Sequence, residues 1–224
     1  MDVQKKIFLE VEADSWFERN IQVLENYSLP KDPVADTLLR YIPTDAADIK
    51  ILEIGCSSGH RLQAIKNRIP NAHVYGIEPS KKAVEYCTLH HPDVIITQGT
   101  AEDMARYEDN SFDVVVIGFV FYVVDRQLLF KVAAEIDRLL KPQGHLIIID
   151  FYGIKPHKNV YHHVKEPAMF SYKQDYSQLF TASHLYHLIG KSSHNHATLA
   201  TDGSSDFYNK LSVSILLKDH DAAY

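Results

Sequence analysis

The run Ile51-Leu52-Glu53-Ile54-Gly55-Cys56-Ser57-Ser58-Gly59-His60 decides the fold. A short apolar stretch ends in glycines and the helix-compatible segment Arg61 to Arg68 follows, so the run reads as a buried strand turning through a glycine loop into a helix. Glycines at that place let the backbone turn sharply and approach a ligand closely, at the carboxyl edge of a sheet, where open α/β folds bind ligands. About twenty residues on, Tyr75-Gly76-Ile77-Glu78-Pro79-Ser80 puts a carboxylate at the end of the next strand. From that position an acid grips the two hydroxyls of an adenosine ribose. Loop and acid together point to a cofactor that contains a nucleoside.

Working outward, short apolar runs alternate with longer amphipathic segments, the pattern of a parallel sheet with crossover helices. The strands read as Ile49 to Ile54, His73 to Ile77, Val94 to Thr97, Phe112 to Ile117 and His145 to Phe151, with helices at Arg61 to Arg68, Lys81 to His90 and Arg126 to Leu140. Upstream, Ala13 to Tyr27 has helical spacing of its apolar residues, and a second helix runs from Asp32 or Pro33 to Tyr41, with Pro33 in its first turn and Pro43 ending it. After Phe151 the alternation stops. A short helix is expected through Leu185 to Ile189, closed by Gly190. Strands at His194 to Ala200 and Phe207 to Leu217 flank the turn cluster Thr201 to Asp206 and make an antiparallel hairpin. The expected organisation is one domain: an N-terminal helical lid at 1–43, a cofactor-binding core at 44–152, an insertion at 153–190 and the hairpin at 191–224.

Composition narrows the function. A chain of 224 residues with 46% hydrophobic and 23% charged residues builds one sizeable core, which excludes collagen-like, disordered and disulfide-framework classes. Lys+Arg at 23 against Asp+Glu at 29 leaves a net charge of -6, so a nucleic-acid backbone is not the expected partner. Two cysteines, Cys56 and Cys87, fit a reducing compartment and carry no metal-ligand spacing. The start of the chain lacks the apolar core of a secretory signal, and cytoplasmic residence is the expectation. The longest apolar run, Val114 to Val124, is too short to span a bilayer.

Dinucleotide enzymes use G-x-G-x-x-G, whereas this loop is Glu53-x-Gly55-x-x-x-Gly59 and has no second glycine two residues after Gly55. With these residues the chain resembles the class I S-adenosylmethionine-dependent methyltransferases of the bacterial small-molecule type, over about residues 30 to 151 and by topology into the hairpin. The resemblance implies an α/β, Rossmann-like methyltransferase fold: a mainly parallel seven-stranded sheet with a C-terminal antiparallel hairpin and helices on both faces. It implies S-adenosylmethionine as cofactor, with Glu53, Gly55, Cys56 and Gly59 beside the methionine moiety. Glu78 would hold the ribose hydroxyls, Pro79 or Ser80 would border the adenine, and the Ala101 backbone and Glu102 carboxylate would meet the adenine amine. Gly118 and Phe119, ending the fourth strand, would face the sulfonium. The chain departs from the family at Ser57 or Ser58, where a third glycine is common, and at Gly118, where a polar residue is common.

Methyl transfer from a sulfonium is an in-line displacement with a good leaving group, so alignment carries most of it and a base is needed only for an acceptor that must lose a proton. The fourth strand ends in no Asp-Pro-Pro-Tyr or Asn-Pro-Pro-Tyr run, against DNA-base methylation, and in no acid, so no metal is implied. His184 and His187, three apart in the expected helix, lack a matching Cys or carboxylate cluster. Insertions between the fifth strand and the hairpin cover the methyl group in this family. His162 and His163 are therefore the expected bases, only one of them reaching the acceptor, with Tyr122 as a further candidate. Tyr161, Tyr172 and Tyr176 offer an apolar face and a hydroxyl to a small polar acceptor. Asp14 to Asn20 reads as a docked amphipathic helix or a lid, with Arg19 able to meet a carboxylate or phosphate. The expected activity is methylation of oxygen or nitrogen on a small molecule; the rivals are a nucleotide-cofactor oxidoreductase and a non-catalytic binder of S-adenosylmethionine.

Overall fold

A computed structural model describes residues 3–43, 45, 48–153, 155–164, 166–204 and 208–221. Ser205, Asp206 and Phe207, where the expected turn cluster ends and the last strand begins, lie outside the described residues. In chain order the structure runs α1 (Val3–Ile7), a π-helical turn (Phe8–Glu12), α2 (Ala13–Glu25), α3 (Pro33–Tyr41), β1 (Lys50–Ile54), α4 (His60–Arg68), β2 (His73–Glu78), α5 (Lys81–His90) and β3 (Val94–Gln98). It continues with β4 (Phe112–Gly118), α6 (Leu129–Leu139), β5 (Leu140–Phe151), β6 (His157–Val160), β7 (Phe170–Lys173), α7 (Gln178–Thr181), β8 (Tyr186–Asn195) and β9 (Lys210–Lys218). Seven strands form one sheet in the order β3-β2-β1-β4-β5-β9-β8, while β6 and β7 pair separately. The first five are parallel; β9 runs antiparallel to both β5 and β8.

The sheet is buried on both sides, which is why its central strands read as continuous apolar runs. Side chains alternate between faces. Ile51, Val114, Val116, Ile147 and Ile149 join Leu38 of α3, Leu62 and Ile65 of α4 and Cys87 of α5 on one face. Leu52, Ile54, Val115, Ile117, Leu146 and Ile148 join Val132, Ile136 and Leu139 of α6 and Phe180 of α7 on the other. Strand order reverses between β1 and β4, and the crevice opened by that reversal at the carboxyl ends of the strands is where this architecture accepts a ligand. Among the described residues no helix is long and apolar enough to cross a membrane.

Three expected elements need correction, the first being the strand expected at His194 to Ala200, which instead runs over Tyr186–Asn195 as β8 and leaves 196–200 as a turn. Residues 185–189 form no helix: Tyr186 opens β8, and Gly190 sits at a register shift in that edge strand. A Cβ at Gly190 would stand 2.5 Å from the Tyr41 hydroxyl, which donates to Ile189 O at 3.0 Å, so this glycine admits a packing partner instead of capping a helix. His184 follows α7 and His187 lies in β8, so they share no helix face. The apolar residues of 185–189 carry no periodic signal that separates a short helix from a strand, and the long antiparallel pairing with β9 decides it. At the other end the helix begins at Val3 rather than Ala13, carried through the π turn.

The strand assignment is testable at Tyr186, which is buried and donates its hydroxyl to Asp137 Oδ1 of α6 at 2.8 Å. Urea unfolding of Tyr186→Phe should show a loss of about 0.5–1.5 kcal/mol with an unchanged slope. An unchanged midpoint would mean that β8 does not dock on α6 as described.

Candidate functional site

The carboxyl ends of β1, β2 and β4 and the loop Gly55 to Gly59 surround a cavity of about 460 Å³, walled on its open side by the N-terminal helix. The local backbone explains the opening. Gly55 adopts φ +74°, and a Cβ there would run into Val120 Cγ2, so only glycine lets the loop pass beside the segment after β4. Phe119, a bulky residue at φ +54°, turns the chain at the end of β4; such strained positions cluster at functional sites.

Glu78 ends β2 inside the cavity wall, where Oε2 accepts from Ser57 N at 2.8 Å and Oε1 from Ser80 N at 2.9 Å. These bonds clamp the glycine loop to the second strand. Burial pushes the Glu78 carboxyl up to about 7, although the two amides favour its ionised form. Glu53 is also buried, and burial raises its carboxyl despite a contact from its Oε1 to Arg61. Arg61 bridges onward from Nε to Asp32 Oδ2 at 2.6 Å, while Asp32 caps α3 through Val34 N and Ala35 N. Burial works against the Asp32 carboxylate, yet the guanidinium and these donors hold it below its ordinary value. Beside Arg61, burial and the guanidinium charge lower His60 to about 3, leaving a neutral imidazole against Ser58 Oγ at 3.1 Å. Glu53 Oε2 and Ser57 Oγ of the lining are among the buried polar atoms with no hydrogen-bond partner in the protein. Such groups are costly to leave bare and point to a polar ligand.

The cavity is lined by Glu53, Gly55, Cys56, Glu78 and Pro79, and from the later strands by Ala101, Glu102, Gly118, Phe119 and Tyr122. Oε1 of Glu102 is already taken by Thr100 Oγ1 at 2.8 Å and by Lys5. Gly59 is not in the lining; at φ +72° it starts α4, and a Cβ there would meet Cys87 Sγ at 2.5 Å. His162 and His163 lie in an exposed turn with ring centroids 3.8 Å apart, outside the lining. Extended backbone would have pointed them apart; the turn brings them together. Arg19 pairs with Glu12 of its own helix, and Tyr161 donates to Glu12 Oε1 at 2.6 Å. Tyr172 lies 4.1 Å from the Arg126 guanidinium, and Tyr176 stacks on Phe121 with centroids 5.1 Å apart. The insertion tyrosines thus fasten the insertion to the core instead of facing the cavity. Sequence reasoning missed Arg61, Asp32 and Glu12. The available signal was Arg61 itself, a charge two residues past Gly59 on a helix that must pack against the sheet.

Residues 52–148 match a family profile described as a methyltransferase domain. The chain is 26% identical over 145 residues to the malonyl-[acyl-carrier protein] O-methyltransferase of Halalkalibacterium halodurans, covering 60% of this chain and 53% of that one. It is 29% identical over 118 residues to a tRNA N(3)-cytidine methyltransferase of Mus musculus, covering 49% and 30%. The matched region thus spans about half or less of these relatives. Among solved structures, the 1,6-didemethyltoxoflavin-N1-methyltransferase of Burkholderia thailandensis, with bound 1,6-didemethyltoxoflavin and S-adenosylhomocysteine, superimposes with TM-score 0.68 at 12% identity over 92% of this chain and 84% of that one.

Arg61→Ala should destabilise the fold by about 3–5 kcal/mol, because it strands two buried carboxylates. Without the cation both carboxyls move above their unfolded values, so the neutral forms stabilise the fold at low pH and that stability is lost as pH rises through the raised values. The deficit measured by urea unfolding should therefore be smaller at about pH 5 than at about pH 8; a pH-independent deficit would rule out carboxylate repulsion as its cause.

Proposed function

We propose, from the premise that the chain carries a class I S-adenosylmethionine-dependent methyltransferase domain and takes S-adenosylmethionine as cofactor, that it methylates an oxygen or nitrogen of a small molecule. The observation that carries this reading is the roofed cavity. Lys5, Phe8, Leu9, Trp16, Val23 and Leu24 of the N-terminal helix close over the strand ends and leave a mainly apolar chamber of bounded volume. A chamber of this kind suits a compact acceptor, and the net charge of -6 supports a partner other than a polyanion. Residence in the cytoplasm is part of the same proposal, supported by two buried, unpaired thiols.

The residues present fit the cofactor. Glu78, held rigid by two backbone amides, offers its carboxylate to the ribose hydroxyls, and the bare Glu53 Oε2 and Ser57 Oγ suit the ammonium and carboxylate of an amino acid moiety. When bound, the cofactor supplies a methyl group on a positively charged sulfur. The chain's part is to orient and to exclude water: Phe119 and Tyr122 border the end of β4, and the N-terminal helix covers them. Asp150, pushed up to about 8 by burial, accepts the Tyr122 and Phe151 amides at 3.2 and 2.7 Å and holds that turn.

Incubation with methyl-tritiated S-adenosylmethionine and a cell extract split into small-molecule, protein and RNA fractions tests the reading. Label is expected in the small-molecule fraction; label confined to RNA or protein would overturn it. A second prediction concerns pH. Ribose hydroxyls donate to an ionised Glu78, so calorimetric affinity for S-adenosylhomocysteine should fall as pH drops below about 7, and Glu78→Gln should bind about ten- to a hundredfold more weakly with little pH dependence over this range. For stability the sign is opposite. The folded carboxyl titrates above its ordinary value, so its contribution is full below the unfolded value and lost as pH rises through about 7.

A further inference from the structure

We propose that Tyr27, just past the C-terminal end of α2, donates its hydroxyl to the carboxylate at the amino-acid end of S-adenosylmethionine. The inference rests on that molecule being the cofactor, and it adds a donor from outside the glycine loop to the Glu53 and Ser57 atoms already named. Tyr27 lines the cavity, and its hydroxyl is buried with no hydrogen-bond partner in the protein. A buried hydroxyl left bare is costly, and one in the wall of an open cavity is accounted for by a ligand atom. The helix delivers it there. Trp16, Asn20, Leu24 and Tyr27 follow one another at helical spacing along the cavity. On the other side of α2, Phe17 packs edge-on against Tyr86 of α5 with centroids 5.7 Å apart, and Glu18 pairs with Lys82. Tyr27 N donates to Leu24 O at 3.1 Å, which keeps the residue in line with the helix after Glu25 ends it.

The surroundings select a carboxylate. The Tyr27 ring lies 4.6 Å from that of His60, whose neutral imidazole faces Ser58 Oγ. His60 is the chain neighbour of Arg61, and Arg61 holds Glu53, so the hydroxyl belongs to the Glu53 end of the cavity. Asp32, the acid that could have satisfied it, is already committed: Oδ1 accepts from Val34 N and Ala35 N, and Oδ2 from Arg61 Nε. Burial and the Asp32 charge push the phenol above its ordinary value, so it meets the cavity protonated, as a donor. Glu53 Oε2, also bare, is an acceptor and the fitting partner for an ammonium. Arg61 is spent on Asp32 and Glu53, which leaves neutral hydroxyls to receive the ligand's carboxylate. One bare donor and one bare acceptor at the same end of the cavity match the two charges of an α-amino acid.

Calorimetry with a graded set of ligands tests the assignment: S-adenosylhomocysteine, its decarboxylated analogue, which keeps the ammonium, and methylthioadenosine, which lacks the amino-acid end altogether. Tyr27→Phe keeps the ring against His60 and removes only the hydroxyl. It should bind S-adenosylhomocysteine about ten- to a hundredfold more weakly than the wild type does, because a hydrogen bond to a charged group is lost. The other two ligands should bind within about twofold of wild type, since deleting the hydroxyl costs nothing once the carboxylate is gone. A loss shared by the decarboxylated analogue would assign the hydroxyl to the ammonium, and a loss shared by all the ligands would make Tyr27 a prop for the cavity wall. Either overturns the proposal, as does undiminished affinity for S-adenosylhomocysteine. In the ligand-free protein the urea midpoint of Tyr27→Phe should equal or exceed that of wild type, because no protein partner is lost. A lower midpoint, or failure to fold, would reveal such a partner and overturn the proposal as well. Failure of the cofactor reading looks different: wild-type protein would bind neither S-adenosylhomocysteine nor methylthioadenosine, and the proposal would fall with it.

Discussion

A single buried guanidinium holds the ligand-binding end of this protein together. Arg61 contacts Glu53 in the middle of the sheet and Asp32 at the start of α3, and it projects from the first turn of the helix that follows the glycine loop. The start of α3, strand β1 and helix α4 therefore converge on one cation. Two carboxylates and one guanidinium leave a net negative charge in a desolvated place, which only close pairing makes tolerable. The excess sits on Glu53, whose second oxygen has no partner in the protein. A site prepared in this way discriminates for a ligand that brings a positive group.

The N-terminal helix adds the second constraint. Beside the buried Ile7, Ala13 and Phe17, its polar contacts with the core are spread along its length. Gln4 donates to Val123 O at 2.7 Å and to Phe170 O at 3.0 Å, Lys5 pairs with Glu102, Asp14 accepts from Ser80 Oγ at 2.7 Å, and Glu18 pairs with Lys82. Polar contacts at a solvent boundary are individually weak, since water competes for them. The helix is thus held by many small attachments while Phe8, Leu9 and Trp16 line the cavity.

The histidines illustrate how composition misleads. Eight of the 13 fall after Phe151, and the place of His162 and His163 in the insertion makes them the expected bases. Among the described residues no group of three or more His, Cys, Asp or Glu side chains is arranged to hold a metal. His162 and His163 stack in an exposed turn, and His187 lies on the exposed edge strand. Tyr122, just past β4, lines the cavity, and neither His162 nor His163 does.

Local chemistry was legible in the sequence. The strand, the glycine loop with its left-handed Gly55 and the acid at Glu78 each depend on residues within a few positions, so periodicity and turn chemistry suffice to read them. The five parallel strands follow from the same patterns repeated, and so does the existence of a terminal antiparallel pair, though its first strand lies at Tyr186–Asn195 rather than at His194 to Ala200. What the tertiary structure alone decided is who pairs with whom over distance: Arg61 with Asp32, 29 residues away, and Tyr161 with Glu12, 149 residues away. No pattern in the chain encodes these pairs, because a buried charge chooses its partner by proximity after folding. The same reason explains the edge strand at Tyr186, where long-range pairing with β9 overrode a segment whose own residues were equally compatible with a helix.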